Sequence, residues 1–268
     1  MRAHRHLAQH PFQQLIVGAF VAVTLAASAG AALADTSSEV RAVDARVLKV
    51  KLGGIIDLRL RQGPTAALVI AGDQRYVSKV ITTQQGDTLL IDIENNRHLH
   101  FGGGNNKEQL RAELTLPNLN DVVSQGVGTT EISGFAGERI HLSLDGAGSV
   151  TLTGRYRTVD ASLGGVGSMT LNTGDTERVE LNLRGAGRIE VNGRSKLLHA
   201  RLGGVGSLEA RELRADAVDL NMSGLGSATV YAKTAATLSL NGLGSATVYG
   251  KPVNRKSTAS GLGSVSWD

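Results

Sequence analysis

The sequence of 268 residues contains no cysteine, four prolines and one tryptophan, and aromatic residues make up only 3% of it. Without cysteine there are no disulfides, no thiolate metal sites and no lipid-modified cysteine, so stability must come from packing and backbone hydrogen bonds. Few aromatics means an interior filled by Val, Leu, Ile and Ala, as in a narrow core repeated many times. Charge is nearly balanced, 28 Lys and Arg against 24 Asp and Glu. Such a balance argues against a dedicated nucleic-acid binder, which would show a concentrated basic face.

Only one long apolar run occurs. Arg2 and Arg5 precede Leu15 to Ala34, and the run closes on Ala32-Leu-Ala before Asp35. This reads as a secretory signal peptide over residues 1–34, with an uncleaved anchor as the alternative. Cleavage after Ala34 leaves no membrane span and lowers the formal charge from +4 to +2, because both arginines leave with the segment.

Glycine, by contrast, is abundant at 34 residues. Eight Gly-x-Gly steps begin at Gly126, Gly146, Gly165, Gly185, Gly204, Gly224, Gly242 and Gly261, at intervals of 20, 19, 20, 19, 20, 18 and 19 residues. A period near 19 sustained over half the chain is the mark of a solenoid, one short unit stacked on itself. Around each step apolar and polar residues alternate, as in Leu142-Ser-Leu-Asp-Gly-Ala-Gly-Ser-Val-Thr-Leu152. Period two is a strand signal, and parallel strands of successive coils can pair only if the chain turns fully round between them. The expected fold is therefore all-β, a right-handed parallel β-helix with coils of about 19 residues.

Each offset in the repeat becomes a column with about 4.8 Å between rungs. Val150 with Leu152 and Met169 with Leu171 are expected to point inward. The residue between the glycines is always aliphatic (Val127, Ala147, Val166, Ala186, Val205, Leu225, Leu243, Leu262) and is expected inward at a corner. Glu131, Thr151, Thr170, Glu190, Glu209, Thr229, Thr247 and Ser266 form an outward column. Trp267 falls at the inward offset of Leu152 and Val248 and would plug the last coil; an end left open invites end-to-end self-association.

Residues 35–120 lack the glycine beat but alternate over Asp57–Arg61, Ala67–Ile70, Val77–Ile81, Thr88–Glu94 and Leu110–Leu116, with Gly-Pro and Gly-Asp turn signals between. They read as irregular early coils or a β cap, continuous with the regular coils of residues 121–268. A loop-like stretch from Asn95 to Gln109 carries three consecutive glycines and looks like an insertion.

The glycines suggest phosphate binding, but the dinucleotide fingerprint needs a third glycine five residues after the first, and every copy has Glu, Thr or Ser there. No Gly-Lys-Ser/Thr follows any turn, so there is no P-loop. Calcium β-rolls need nine-residue repeats with aspartate between the glycines, which also fails. A polysaccharide-processing β-helix enzyme would need closely placed carboxylates. The best candidates are Glu190 and Glu209 on adjacent rungs with Arg188, Arg201 and Arg211 nearby, a group that equally describes a surface ion-pair patch. His98 and His100 share a face if extended but have no third metal ligand in view. His141 and His199 fall at isolated outward offsets. Ser149, Ser168, Ser207, Ser227, Ser245 and Ser264 form a hydroxyl column in which none differs as a nucleophile would. No catalytic, cofactor or metal residues are assigned. Tyr231 and Tyr249 share an outward offset on neighbouring coils and are the candidate contact for a ligand or partner.

The order Leu68-Val-Ile-Ala-Gly, Gly86-Asp-Thr-Leu-Leu-Ile-Asp-Ile, Leu114-Thr-Leu-Pro-Asn-Leu and Val123-Ser-Gln-Gly-Val-Gly, followed by Gly-x-Gly-Ser coils, resembles the bacterial family of putative auto-transporter adhesins, head GIN domain, over residues 45–268. The resemblance implies a β-helical exported or surface protein and suggests adhesion. After Asp268 nothing would supply a translocator barrel, so self-export by that route is not expected. The reading is a non-enzymatic envelope or surface interaction module, periplasmic, secreted or on the cell surface, that binds a protein or glycan partner through flat polar faces. Its rivals are the polysaccharide-processing enzyme and a periplasmic sensor or assembly factor.

Overall fold

The computed structural model describes residues 36–94, 110–260 and 262–268. The segment read as a signal peptide and the loop carrying His98 and His100 lie outside these residues. From Ala34 to Asp268 the chain is one compact unit, a β-solenoid of about seven turns. Long bent strands form its regular coils: β9 (Val127–Leu144), β10 (Ala147–Leu163), β11 (Val166–Leu183), β12 (Ala186–Leu202), β13 (Val205–Met222) and β14 (Leu225–Leu240). Each pairs in parallel with the next, so that Val150 stacks on Met169, Ile189, Leu208, Ala228 and Ala246. All six are buried, as are Leu152, Leu171, Val191, Ala210, Val230 and Val248 in the parallel column. The alternation legible in the sequence therefore does place these positions in the core.

The corner column reverses the expectation. Val127, Val166, Val205, Leu225 and Leu243 are exposed to between 48 and 62%, and Leu262 to 85%. They face outward because the inward places beside them belong to the glycines. A Cβ built on Gly165 would lie 1.9 Å from the Gly146 carbonyl oxygen of the coil below, and one on Gly167 would lie 1.8 Å from that of Gly148. The second glycine of five steps, Gly128, Gly148, Gly167, Gly187 and Gly226, also has left-handed φ, +150° at Gly148 and +151° at Gly167. Backbone packs directly on backbone, and the aliphatic residue between is pushed to the surface.

At the N-terminal end the stacking is irregular. β2 (Lys49–Leu52) and β3 (Asp57–Gln62) pair in parallel with β8 (Asp121–Ser124) and β9 on one side and with β6 (Thr88–Ile93) and β7 (Arg111–Leu116) on the other. Antiparallel neighbours then end the stack: β5 (Val80–Gln85) on β6, β4 (Ala67–Asp73) on β7, and β1 (Thr36–Arg41) on β4. The stretch read as a strand from Val77 to Ile81 is divided: Val77 ends a single helical turn, α1 (Gln74–Val77), capped by Asp73, and β5 starts at Val80. Among the described residues the cap leaves no free parallel edge on that side.

At the other end lie β15 (Leu243–Tyr249), β16 (Asn254–Ala259) and β17 (Ser264–Trp267). Trp267 pairs with Val248 as its register demands, yet it is only partly buried, and the Arg255 guanidinium lies 5.2 Å from its ring. Arg255 itself stacks on the inward Ala236 and donates to the Pro252 carbonyl at 2.9 Å. The end is thus covered by a cation and an aromatic ring together rather than by a fully buried plug.

Candidate interaction surface

After the glycine corner each coil runs straight for several residues, and alternation puts every second side chain on one polar face. Its first column is Thr129, Ser149 and Ser168, then Arg188, Ser207, Ser227 and Ser245. The second carries Glu131, Thr151, Thr170, Glu190, Glu209, Thr229 and Thr247. β-branched and hydroxyl residues suit this pleated, half-wet surface. The third column starts with Arg61 against Ser133 and has Thr153, Asn172 and Asn192; the ladder shifts register after Glu190 and again after Ala210, and Tyr231 and Tyr249, paired with each other, stand at the corresponding offset in the last coils.

Along this third column side chains bond to one another. Asn192 Nδ2 donates to Asn172 Oδ1 at 3.0 Å, and Asn172 Nδ2 donates to Thr153 Oγ1 at 3.4 Å. Beside them is a groove of about 490 Å³ lined also by Phe135, Arg155 and the glycines 134, 154, 174 and 193. Glycine leaves the groove without Cβ groups, so it is bordered by the side chains of Thr153, Asn172, Asn192, Arg155 and Phe135. These residues were missed in the sequence although their glycines keep the same beat, eight or nine residues after each Gly-x-Gly step; that recurrence and the Thr153, Asn172, Asn192 offset were the available signals.

Tyr231 and Tyr249 are in register on adjacent coils, as expected. Their faces are not free, however. The Arg214 guanidinium sits 4.4 Å from the Tyr231 ring centre and that of Arg211 4.2 Å from Tyr249. The pair is an Arg–Tyr cluster, partly buried, that presents guanidinium N–H groups and phenol oxygens.

Glu190 and Glu209 do occupy adjacent rungs. Glu190 receives the Asn192 amide at 3.3 Å, while Arg211 is drawn to Tyr249. The ion pairs are elsewhere, above all in Glu138, Arg157, Glu177 and Lys196, which follow one another on successive coils with Glu177 at 2.8 Å from Arg157 and 2.7 Å from Lys196. Lys196 and Arg157 hold the exposed Glu177 carboxyl down to about 2. Such a network is solvated and is a modest stabiliser.

His141 and His199 are not isolated. They belong to one column that runs Asp121, His141, Asp160, Glu180, His199, Asp219 on the face before the glycine corner. His141 Nδ1 is 3.3 Å from Asp160, and His199 Nδ1 is 3.1 Å from Asp219. The Asp160 carboxylate raises the His141 pKa, with burial opposing, and His141 lowers that of Asp160. Asp121 is pushed up by burial. Among the described residues no group of three or more His, Asp or Glu is arranged to hold a metal ion, and no helix is long and apolar enough to cross a membrane.

Solved structures with the same fold include a putative adhesin from Parabacteroides merdae (17% identity, TM-score 0.74, covering 88% of this chain and 97% of that one). A putative adhesin from Bacteroides fragilis (21%, 0.64, 87% and 97%) and a putative lipid binding protein from Parabacteroides distasonis (19%, 0.69, 88% and 98%) are also similar. No curated protein matches the sequence. The profile of one family matches residues 48–252, most of the chain. On that match, and with the β-solenoid that its glycine-cornered coils build, this chain belongs to the family of putative auto-transporter adhesins, head GIN domain.

Proposed function

We propose that this chain is a non-enzymatic exported interaction module that binds an extended glycan along the third column of the polar face, from the Thr153–Asn172–Asn192 groove to the Arg–Tyr cluster at Tyr231 and Tyr249. The observation that carries the reading is the amide and hydroxyl ladder beside a glycine-lined groove, 3.0 and 3.4 Å between its successive members. Sugar hydroxyls both donate and accept, and the Asn172 and Asn192 amides, which can do the same on adjacent rungs, match them. Membership of a family described as adhesins supports a surface or exported role. Against the enzyme, the nearest carboxylate pair, Glu190 and Glu209, is flanked by an amide and by no proton-donating partner set apart for acid catalysis.

The test is retention of the chain on immobilised bacterial polysaccharides and on a glycan array. Asn172→Ala with Asn192→Ala, and separately Tyr231→Ala with Tyr249→Ala, are expected to lower retention at least about tenfold. Unchanged retention in both pairs refutes the strip. Release of reducing sugar ends that disappears in Glu190→Gln with Glu209→Gln would establish the enzyme instead.

A further inference from the structure

The outward aliphatic column is a feature that the polar strip does not use. Ile55 bridges to Val127, and above it stand Ala147, Val166, Ala186, Val205 and Leu225, one per coil. An apolar ridge this regular on a water-facing corner marks a contact surface. Beside it, on the residue before each first glycine, runs a second column: Gln125, Asp145, Gly164, Arg184 and Gly203. Asp145 and Arg184 are exposed and two rungs apart, and they are not paired with each other. Among the described residues Asp145 accepts the Ser143 hydroxyl at 2.8 Å, and Arg184, with the Asn182 amide turned to face it, donates to that amide oxygen at 3.2 Å.

We propose that this ridge is the interface with a second copy of the chain, packed antiparallel about a twofold axis that passes through the Val166 rung. Equal rung spacing in the two copies keeps them in register over the whole contact. With the axis at Val166, Asp145 of each copy meets Arg184 of the other, so one contact forms two ion pairs. The ridge is also the same in size read either way from Val166: Ala147 meets Ala186, Val127 meets Val205 and Ile55 meets Leu225. Small Gly203 lies opposite Gln125. In the next column Ser149 meets Arg188, and no like charges are opposed.

Three neighbouring arrangements fail on charge. An axis one rung lower opposes Asp145 to its own copy, and one rung higher opposes Arg184 to its own copy. A parallel pairing, with the axis along the solenoid, puts Arg184 against Arg188. Like charges placed face to face disfavour each of these. Seven rungs span roughly 30 Å at the strand spacing, which makes the contact smaller than the ~800 Å² per partner of a standard interface, so a weak, concentration-dependent dimer is expected.

Sedimentation velocity from micromolar to millimolar chain tests this, with circular dichroism confirming that the exposed substitutions leave the fold intact. Asp145→Arg and Arg184→Asp are each expected to weaken the dimer at least about tenfold, since each places two like-charge contacts in the interface. The double reversal restores it. Mixing the two single variants also restores it, as a heterodimer. Because the chain has no cysteine, Val166→Cys offers a lone thiol on the axis, which a short bismaleimide should join to its mate, whereas Thr229→Cys should not be joined. A chain that stays monomeric throughout overturns the proposal. So does a dimer indifferent to the reversals, as end-to-end association would be. Binding of monomeric chain to anionic lipid vesicles, lost in Val166→Asp, also overturns it and assigns the ridge to a lipid surface.

Discussion

The three residues Gly165, Val166 and Gly167 allow the corner to be tested with neighbours one peptide apart. A methyl group on Gly167 would sit 1.8 Å from the Gly148 oxygen, 2.9 Å from its carbon and 3.1 Å from its nitrogen. All three are backbone atoms of the coil below, so nothing can rotate away. The coils would have to part by more than an ångström, where their spacing is held by ladder hydrogen bonds on both sides. Overpacking of this kind costs about 1–3 kcal/mol or more, left-handed φ at a residue with a side chain adds about 1–3 kcal/mol, and each weakened ladder bond adds about 1 kcal/mol. Gly167→Ala is expected to lose about 3–6 kcal/mol, a large part of a total near 5–15 kcal/mol. Gly86→Ala is the control, since Gly86 has φ +60° but nothing within 4 Å of an added Cβ; strain alone should cost it about 1 kcal/mol. Val166→Asp, at a site 62% exposed, should cost no more than about 1 kcal/mol. Urea titration followed by far-UV circular dichroism, with the slope checked for constancy, gives all three. If Gly167→Ala loses no more than Gly86→Ala, or Val166→Asp as much as Gly167→Ala, the account of the corner is wrong.

Trp267→Ala should destabilise by about 1–2 kcal/mol in the same assay, well below the value for a fully buried ring, because only part of Trp267 packs on the core. Arg255→Ala should remove much of the same increment, and additive losses would show that the two do not act together. The His141–Asp160 pair makes stability pH-dependent. His141 has its folded pKa raised above 6.5, so its contribution is complete below about that pH and lost as pH rises through the raised value. Asp160 is lowered below 3.8, so its contribution is present above that value and lost as pH falls through the folded one. The difference in thermal midpoint between wild type and His141→Gln should therefore be larger near pH 5 than near pH 9; an equal difference at both contradicts the pairing.

The fold was legible because its two determinants are local in the chain. Alternation of apolar and polar residues gives strands, and a period near 19 gives coils that pair with their own repeats, so the columns through Val150 and Leu152 could be placed from residues alone. Trp267 was placed in its column in the same way. The depth of its burial was not, since that depends on Arg255 arriving from another strand.

The corner shows where local reading stops and why. Counting by twos from buried Val150 puts Gly148 and Gly146 inward and Ala147 outward, whereas the aliphatic character of that position argues for inward. Parity prevailed, because two stacked backbones fill the inward space to within 1.8–2.0 Å of where a Cβ would be, and only the stacked coils reveal that no room remains. Likewise His141 looked solitary among its sequence neighbours, but its carboxylate partners lie about one coil away on either side, at Asp121 and Asp160. Sequence alone determined which residues repeat and therefore which must stack; the tertiary structure decided what each stacked column meets, because the contacts that set exposure, charge pairing and groove shape join residues a full coil apart.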